Sequence, residues 1–111
     1  MNAFRLAGPA ARDVRGLLAF SRSRFGDPAA DRYQALLLKA FLLIRNDPLG
    51  PATHAIKGRP ADRIYHLRST PQQHPRPIKH PRHFIVFRHE PGTVVVLRVL
   101  HERMDLKRQM G

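Results

Sequence analysis

The sequence contains no cysteine and no tryptophan, and eight acidic residues stand against twenty lysines and arginines in a chain of 111. Without cysteine there are no disulfides and no thiolate metal ligands, and a reducing compartment is permitted. Long apolar runs are also missing. The longest, Ala35 to Ile44, is broken by Lys39 and falls well short of the roughly 20 residues a membrane helix needs. Met1 to Leu6 has neither the apolar centre nor the cleavage pattern of a secretory signal. These absences predict a cytoplasmic, water-soluble protein with no membrane partner. A length of 111 residues predicts one domain, 1–111, around one core.

A hydrophobic fraction of 42% is enough for that core and too high for intrinsic disorder. The formal charge is +12. It is spread along the chain, with ten basic and five acidic side chains in residues 1–62 and ten and three in residues 63–111. A positive field of this size in a small domain favours an anionic partner, whether a phosphate backbone or an acidic protein.

Residues 3–7 fit a short edge strand. Gly8-Pro9 then opens a helix, since the missing N–H of proline has no partner in a first turn. Ala11, Val14, Leu17, Leu18 and Phe25 recur at helical spacing, with arginines between them, and Gly26 is a stop. Asp27-Pro28 restarts at once, Asp27 as N-cap. Ala30, Tyr33, Leu37, Ala40, Phe41 and Ile44 trace a second buried stripe, which Asp47-Pro48-Leu49-Gly50-Pro51 ends. So short a link predicts an αα-hairpin. Residues 50–62, broken by Pro51, Gly58 and Pro60, read as an extended loop, and 63–68 as a strand. Residues 69–81 hold four prolines, almost no apolar side chain and no acid, and predict a long loop joining two strands of one sheet.

The end of the chain is a β-hairpin. His83 to Arg88 and Thr93 to Leu100 flank Glu90-Pro91-Gly92. With Glu90 facing Thr93, the residues Phe84, Val86 and Arg88 share one face with Val95, Leu97 and Val99. His83, Ile85, Phe87 and His89 share the other with Val94, Val96, Arg98 and Leu100. The first face is the more apolar and is expected to carry the helices. A slip of one residue reverses the two faces.

Pro81-Arg82-His83-Phe84-Ile85-Val86-Phe87-Arg88 and Arg98-Val99-Leu100-His101-Glu102-Arg103-Met104-Asp105-Leu106 resemble the ParE branch of the RelE/ParE superfamily, toxins of bacterial type II toxin–antitoxin modules. Ala10-Ala11-Arg12-Asp13-Val14, Phe25-Gly26 and Asn46-Asp47-Pro48-Leu49-Gly50 extend the likeness over nearly the whole chain. The departure is Arg68 to Lys79, longer and richer in proline than in typical members. The resemblance implies an α+β fold, with an N-terminal strand and a helical hairpin packed on one face of a small antiparallel sheet. It also implies an antitoxin whose C-terminal segment wraps the toxin. ParE-like members poison DNA gyrase on cleaved DNA. RelE-like members cleave mRNA on the ribosome with basic residues and often a late tyrosine.

No tyrosine follows Tyr65 here, so gyrase poisoning ranks first, with no catalytic residue assigned and no cofactor implied. If the chain is instead a ribonuclease, its catalytic candidates are His83, Arg88, Arg98 and His101. A third reading is an inactive homologue that only binds. Candidate target contacts are Arg76, Lys79, Arg82, Arg88, Arg98 and Arg103. Candidate antitoxin contacts are the apolar Leu17, Leu36, Phe41, Leu43 and Phe87.

Bland readings stand beside these. Arg98, central in a strand, must find a partner if buried, with Asp105, Glu102 or a loop carbonyl within reach in sequence. His101 and Asp105, four apart, resemble half of a zinc-protease motif without its second histidine; capping of the sheet end is the simpler role. His74, His80 and His83 are irregularly spaced with no acidic residue beside them, and no metal site is expected.

Overall fold

The computed structural model describes residues 2–111. Strand β1 (Ala3–Leu6) leads into helices α1 (Gly8–Phe25) and α2 (Asp27–Asn46). Strands β2 (Thr53–Ile56) and β3 (Arg59–His66) follow, then a single 3-10 turn at Leu67–Ser69. Strands β4 (His83–Glu90) and β5 (Thr93–His101) and a short helix α3 (Leu106–Met110) close the chain. The five strands lie in the order β1-β5-β4-β3-β2. Every pair is antiparallel except β1 with β5, so the sheet is mixed rather than wholly antiparallel.

The helical hairpin forms as its punctuation predicts. Gly26, at φ 91°, separates α1 from α2, and a proline sits in the first turn of each helix. Gly26 rather than Asp27 occupies the N-cap of α2. Asp27 lies inside the first turn, where its negative charge suits the helix dipole, and it pairs with Arg22 at 2.9 Å. Residues 50–62 are not a loop. Gly58, at φ 80°, turns β2 back on β3, and Pro60 is tolerated beside a register shift at the sheet's edge, where no ladder bond is required of it. The long connection after residue 69 joins β3 to β4, which are neighbours, as the sequence predicts.

The terminal hairpin turns on Pro91-Gly92, with Glu90 facing Thr93 as expected and Gly92 at φ 78°. Only glycine adopts that angle cheaply at the third position of a proline-led turn. Gly92→Ala is expected to lower stability by about 1–2 kcal/mol in urea unfolding, although no heavy atom lies near the new methyl group.

The faces of this hairpin are the reverse of the expectation. The register shifts between Val86 and Phe87, because β5 carries one extra residue opposite that step. Ile85, Phe87, Val94, Val96 and Val99 pack against Leu36, Leu37, Ala40, Phe41 and Ile44 of α2. Phe84, Val86 and Leu100 form a smaller cluster on the opposite side, covered by Ile64, Leu97, Leu106 and Met110. The bulge lets Val94, Val96 and then Val99 all reach the helix side, which strict alternation forbids. Leu36, Phe41 and Phe87 are therefore core side chains, at 4%, 7% and 0% exposure, and are withdrawn as antitoxin contacts. Phe25, assigned to the buried stripe of α1, is 67% exposed.

Candidate functional site

Three strand ends and one helix meet at a corner of the sheet. β4 begins with His83 and β5 ends with His101, and the two face each other in register. Their rings meet edge-on at 5.2 Å between centroids. From α2, the Tyr33 hydroxyl lies 2.7 Å from His83 Nδ1, and it accepts a longer bond, 3.3 Å, from the Arg82 backbone N–H. Burial pushes the Tyr33 phenol up to about 12, so it keeps its proton. Burial, then the neighbouring His101, pulls His83 down to about 4. Neutral His83 thus accepts the phenolic proton at Nδ1 and carries its own on Nε2.

Glu102 clamps the outside of this corner. Its carboxylate accepts from Arg82 Nη1 at 2.9 Å and from His66 Nε2 at 3.0 Å, while its backbone N–H donates to the Arg82 carbonyl at 2.7 Å. Hydrogen bonds from Arg82 and then His66 hold its carboxyl down at about 2. Beyond it, His101 Nδ1 accepts from the Arg103 N–H, and Asp105 caps α3 by accepting from the Lys107 N–H. His101 and Asp105 each tie down a local turn and do not share a helix face, since α3 starts only at Leu106.

The corner opens onto a groove of about 1000 Å³ between α1, α2 and the start of β4. Its apolar lining includes Leu17, Phe20, Phe25, Ile78 and Met104, and its polar lining Arg12, Arg32, Tyr33, His80, Arg82, His83 and His101. One carboxylate, Asp13, lies in the lining, and Arg98 already occupies it. Phe20 at 64%, Phe25 at 67% and Met104 at 46% exposure make a concentrated apolar surface with a cationic margin, the composition of a protein-docking site.

The two strand arginines that the sequence singles out are held elsewhere. Arg98 Nε and Nη2 donate to Asp13 at 2.7 and 3.0 Å, and the Val99 N–H donates to the same carboxylate at 2.9 Å. Neither Asp105 nor Glu102 is the partner of Arg98. Arg88 donates to Asp62 at 2.8 Å, as does Arg59. Burial opposes ionisation of Asp62, but the two guanidiniums outweigh it and hold its carboxyl below the usual range. Of the ribonuclease candidates, then, His83 and His101 come together. Arg88 lies five residues along β4, and Arg98 turns to the edge of the sheet.

Among the other candidates, Arg82 stands on the groove's margin, Leu17 lines it, and Arg103 is exposed in the terminal turn. Lys79 and Arg76 are exposed in the long loop, and Leu43 is 38% exposed at the far end of α2. Sequence reasoning missed Tyr33, which reads as one more apolar position of α2, and missed Phe20, which lies off the helical stripe. A phenylalanine outside the stripe of an amphipathic helix was the available signal. No group of three histidines or acids is placed to hold a metal ion among the described residues.

A strand, a helical hairpin and four further strands, the five strands joined in one mixed sheet, define the α+β toxin fold shared by RelE-like and ParE-like proteins. A family model described as the ParE toxin of the type II toxin–antitoxin system parDE matches residues 4–106, and the chain belongs to that family. No curated protein sequence matches it. Among solved structures, the chain is similar to one of the chromosomal ParDE toxin–antitoxin system from P. aeruginosa. The TM-score there is 0.70 at 13% identity, over 91% of this chain and 96% of that one. A copper-bound mutant toxin from Helicobacter pylori matches with a TM-score of 0.60 at 22% identity, over 91% and 94%. The E. coli DinJ–YafQ toxin–antitoxin complex matches at 0.58 and 16%, over 90% and 91%. At these identities the structural likeness concerns the fold.

Proposed function

We propose that this ParE-family toxin arrests growth by holding DNA gyrase on cleaved DNA, and that a cognate antitoxin silences it by filling the groove beside α1 and α2. One observation carries the choice of target. The guanidiniums a phosphodiester-cleaving site needs free, Arg88 and Arg98, are both engaged by carboxylates, which leaves the chain suited to binding. The groove supports the antitoxin half of the reading. Phe20, Phe25 and Met104 offer apolar anchors, while Arg12 and Arg82 offer charge to an acidic amphipathic segment that folds as it docks.

Ribosome-dependent mRNA cleavage is the second reading, and the Tyr33–His83–His101 corner favours it, because that corner supplies proton-transfer groups beside Arg82. The experiment adds purified protein to gyrase and supercoiled plasmid, and in parallel to a translating ribosome extract. Accumulation of covalent gyrase–DNA complexes, suppressed by the cognate antitoxin, is the expected result. Cuts in mRNA without gyrase complexes would transfer the function to the second reading. Silence in both assays, with antitoxin binding intact, would leave a toxin homologue that only forms the complex.

A further inference from the structure

The long connection between β3 and β4 is an ordered arch. The Gln72 side chain bonds both backbone groups of Ile78, donating to its carbonyl at 2.9 Å and accepting from its N–H at 2.8 Å. This closes the loop from Gln72 to Ile78, whose tip is His74-Pro75-Arg76-Pro77, and the His74 ring accepts from the Arg76 N–H at 2.9 Å. Ile78 packs against the core and anchors the C-terminal side of the loop. The prolines at 71, 75 and 77 remove conformational freedom, so the arch loses little further entropy on meeting a partner.

Between this arch and α2 lies a cleft of about 120 Å³, adjacent to the larger groove and sharing Arg32 with it. Its lining includes Arg32 and Lys39 of α2 and His74 and Arg76 of the arch, with the Gln72 and Gln73 side chains and no carboxylate. Arg32 and Lys39 are seven residues apart, two helical turns, and so lie on one face. A second observation points to a ligand. Arg32 Nε is buried without a hydrogen-bond partner, the sole such side-chain atom among the described residues. An unpartnered buried donor is costly, and because Arg32 as a whole is only half-buried, an oxyanion held by the accessible part of its guanidinium would offset that cost.

We infer that this cleft is a phosphate site and that it holds the backbone of duplex DNA, with Arg32 as the half-buried anchor and Lys39 and Arg76 as flanking charges. A nucleic-acid backbone is preferred to an acidic peptide because three cationic side chains converge here with no carboxylate among them, and the apolar part of the lining, Ala35, Leu36 and Pro71, presents no exposed large anchor. Duplex is preferred to single strands because the arch and cleft offer no phenylalanine, tyrosine or tryptophan on which bases could stack, and the one ring present, His74, is held by the Arg76 N–H. The contact is to charge and carries no sequence preference.

The test needs no gyrase, so its outcome is separate from that of the proposed target. Binding of the full chain to a fluorescent 20-base-pair duplex is measured by anisotropy across a salt series. The variants are Arg76→Gln, Lys39→Gln and, as an equal change of charge on the β2–β3 turn, Lys57→Gln. Arg76→Gln and Lys39→Gln are each expected to weaken binding about fivefold and to reduce the salt slope by about 1. Lys57→Gln should change affinity less than twofold. In NMR, the Arg32 Nε–H resonance should move on adding duplex. Equal losses in all three variants would overturn the inference, leaving only diffuse attraction. An unmoved Arg32 signal at saturating DNA would overturn it too. So would displacement of the duplex by inorganic phosphate or oligothymidine at matched ionic strength and phosphate content, since the site would then suit a free anion or a single strand.

Discussion

Asp13→Ala is expected to cost about 3 kcal/mol of folding stability, read as a fall in the urea midpoint at unchanged slope. The reason lies at the edge of the sheet. β1 pairs with β5 only as far as Leu6 opposite Val96. Beyond that point β5 has no strand on its outer side, and α1 supplies a carboxylate in place of one. Asp13 takes the Val99 N–H, a bond a longer β1 would have made, and grips the Arg98 guanidinium with both oxygens. Removing it leaves a part-buried cation and a backbone donor together without an acceptor. The double variant Asp13→Ala with Arg98→Met should recover part of the loss, because the stranded charge goes with it. A loss under about 1 kcal/mol would reduce the pair to the rank of an ordinary surface ion pair.

Stability is also expected to fall by about 3 kcal/mol between pH 6.5 and pH 4, with His83 the cause. The folded chain holds His83 at about 4, chiefly by burial, whereas the unfolded chain protonates it at its ordinary value. Below pH 6.5 the unfolded state therefore takes up a proton that the folded state refuses, and the balance shifts toward unfolding until pH reaches about 4. Glu102, held near 2, and Asp62, held below its usual range, carry the decline into more acidic solution. His83→Asn removes the titrating ring but leaves an acceptor for Tyr33, so its pH profile should be flatter across that window. An unchanged profile would assign the effect to other groups. NMR titration of the His83 ring gives the direct value.

The helical hairpin was legible because its ends are written locally: Gly8-Pro9, Gly26-Asp27-Pro28 and Asp47-Pro48 act within a turn of where they stand. The β2–β3 hairpin was not, because Pro51, Gly58 and Pro60 mark a loop in any local reading. Thr53–Ile56 and the first half of Arg59–His66 become strands only by pairing with each other and with β4. Which face of the terminal hairpin meets the helices was decided by packing against α2, which no local pattern announces, and it made Phe87 core; the extra residue in β5 then brought Val99 to the same side. The partner of Arg98 was illegible for a different reason, since Asp13 lies 85 positions earlier in the chain. The site divides in the same way. His83 and His101 were visible as paired residues of one hairpin, whereas Tyr33, Arg32 and Phe20 join the site only when α1 and α2 fold back over it. Family identity was the part most legible, carried by the motifs of the last thirty residues.

The parallel pairing of β1 with β5 also sets the order in which the molecule can be completed. The first strand to leave the ribosome has its only neighbour in the last one. Until Thr93–His101 has emerged, Ala3–Leu6 has no ladder to join, Asp13 has no guanidinium to hold, and Val94 and Val96 are missing from beneath the helices. The helical hairpin can form early from local contacts, but closure of the fold waits for contacts nearly as distant as the chain allows, the slow kind in any topology. At synthesis rates of roughly 5–20 residues per second, α1 and α2 spend several seconds with their apolar faces uncovered. A toxin built this way is completed only once β5 has emerged, and throughout that interval its unfinished surface is open to whatever partner is at hand.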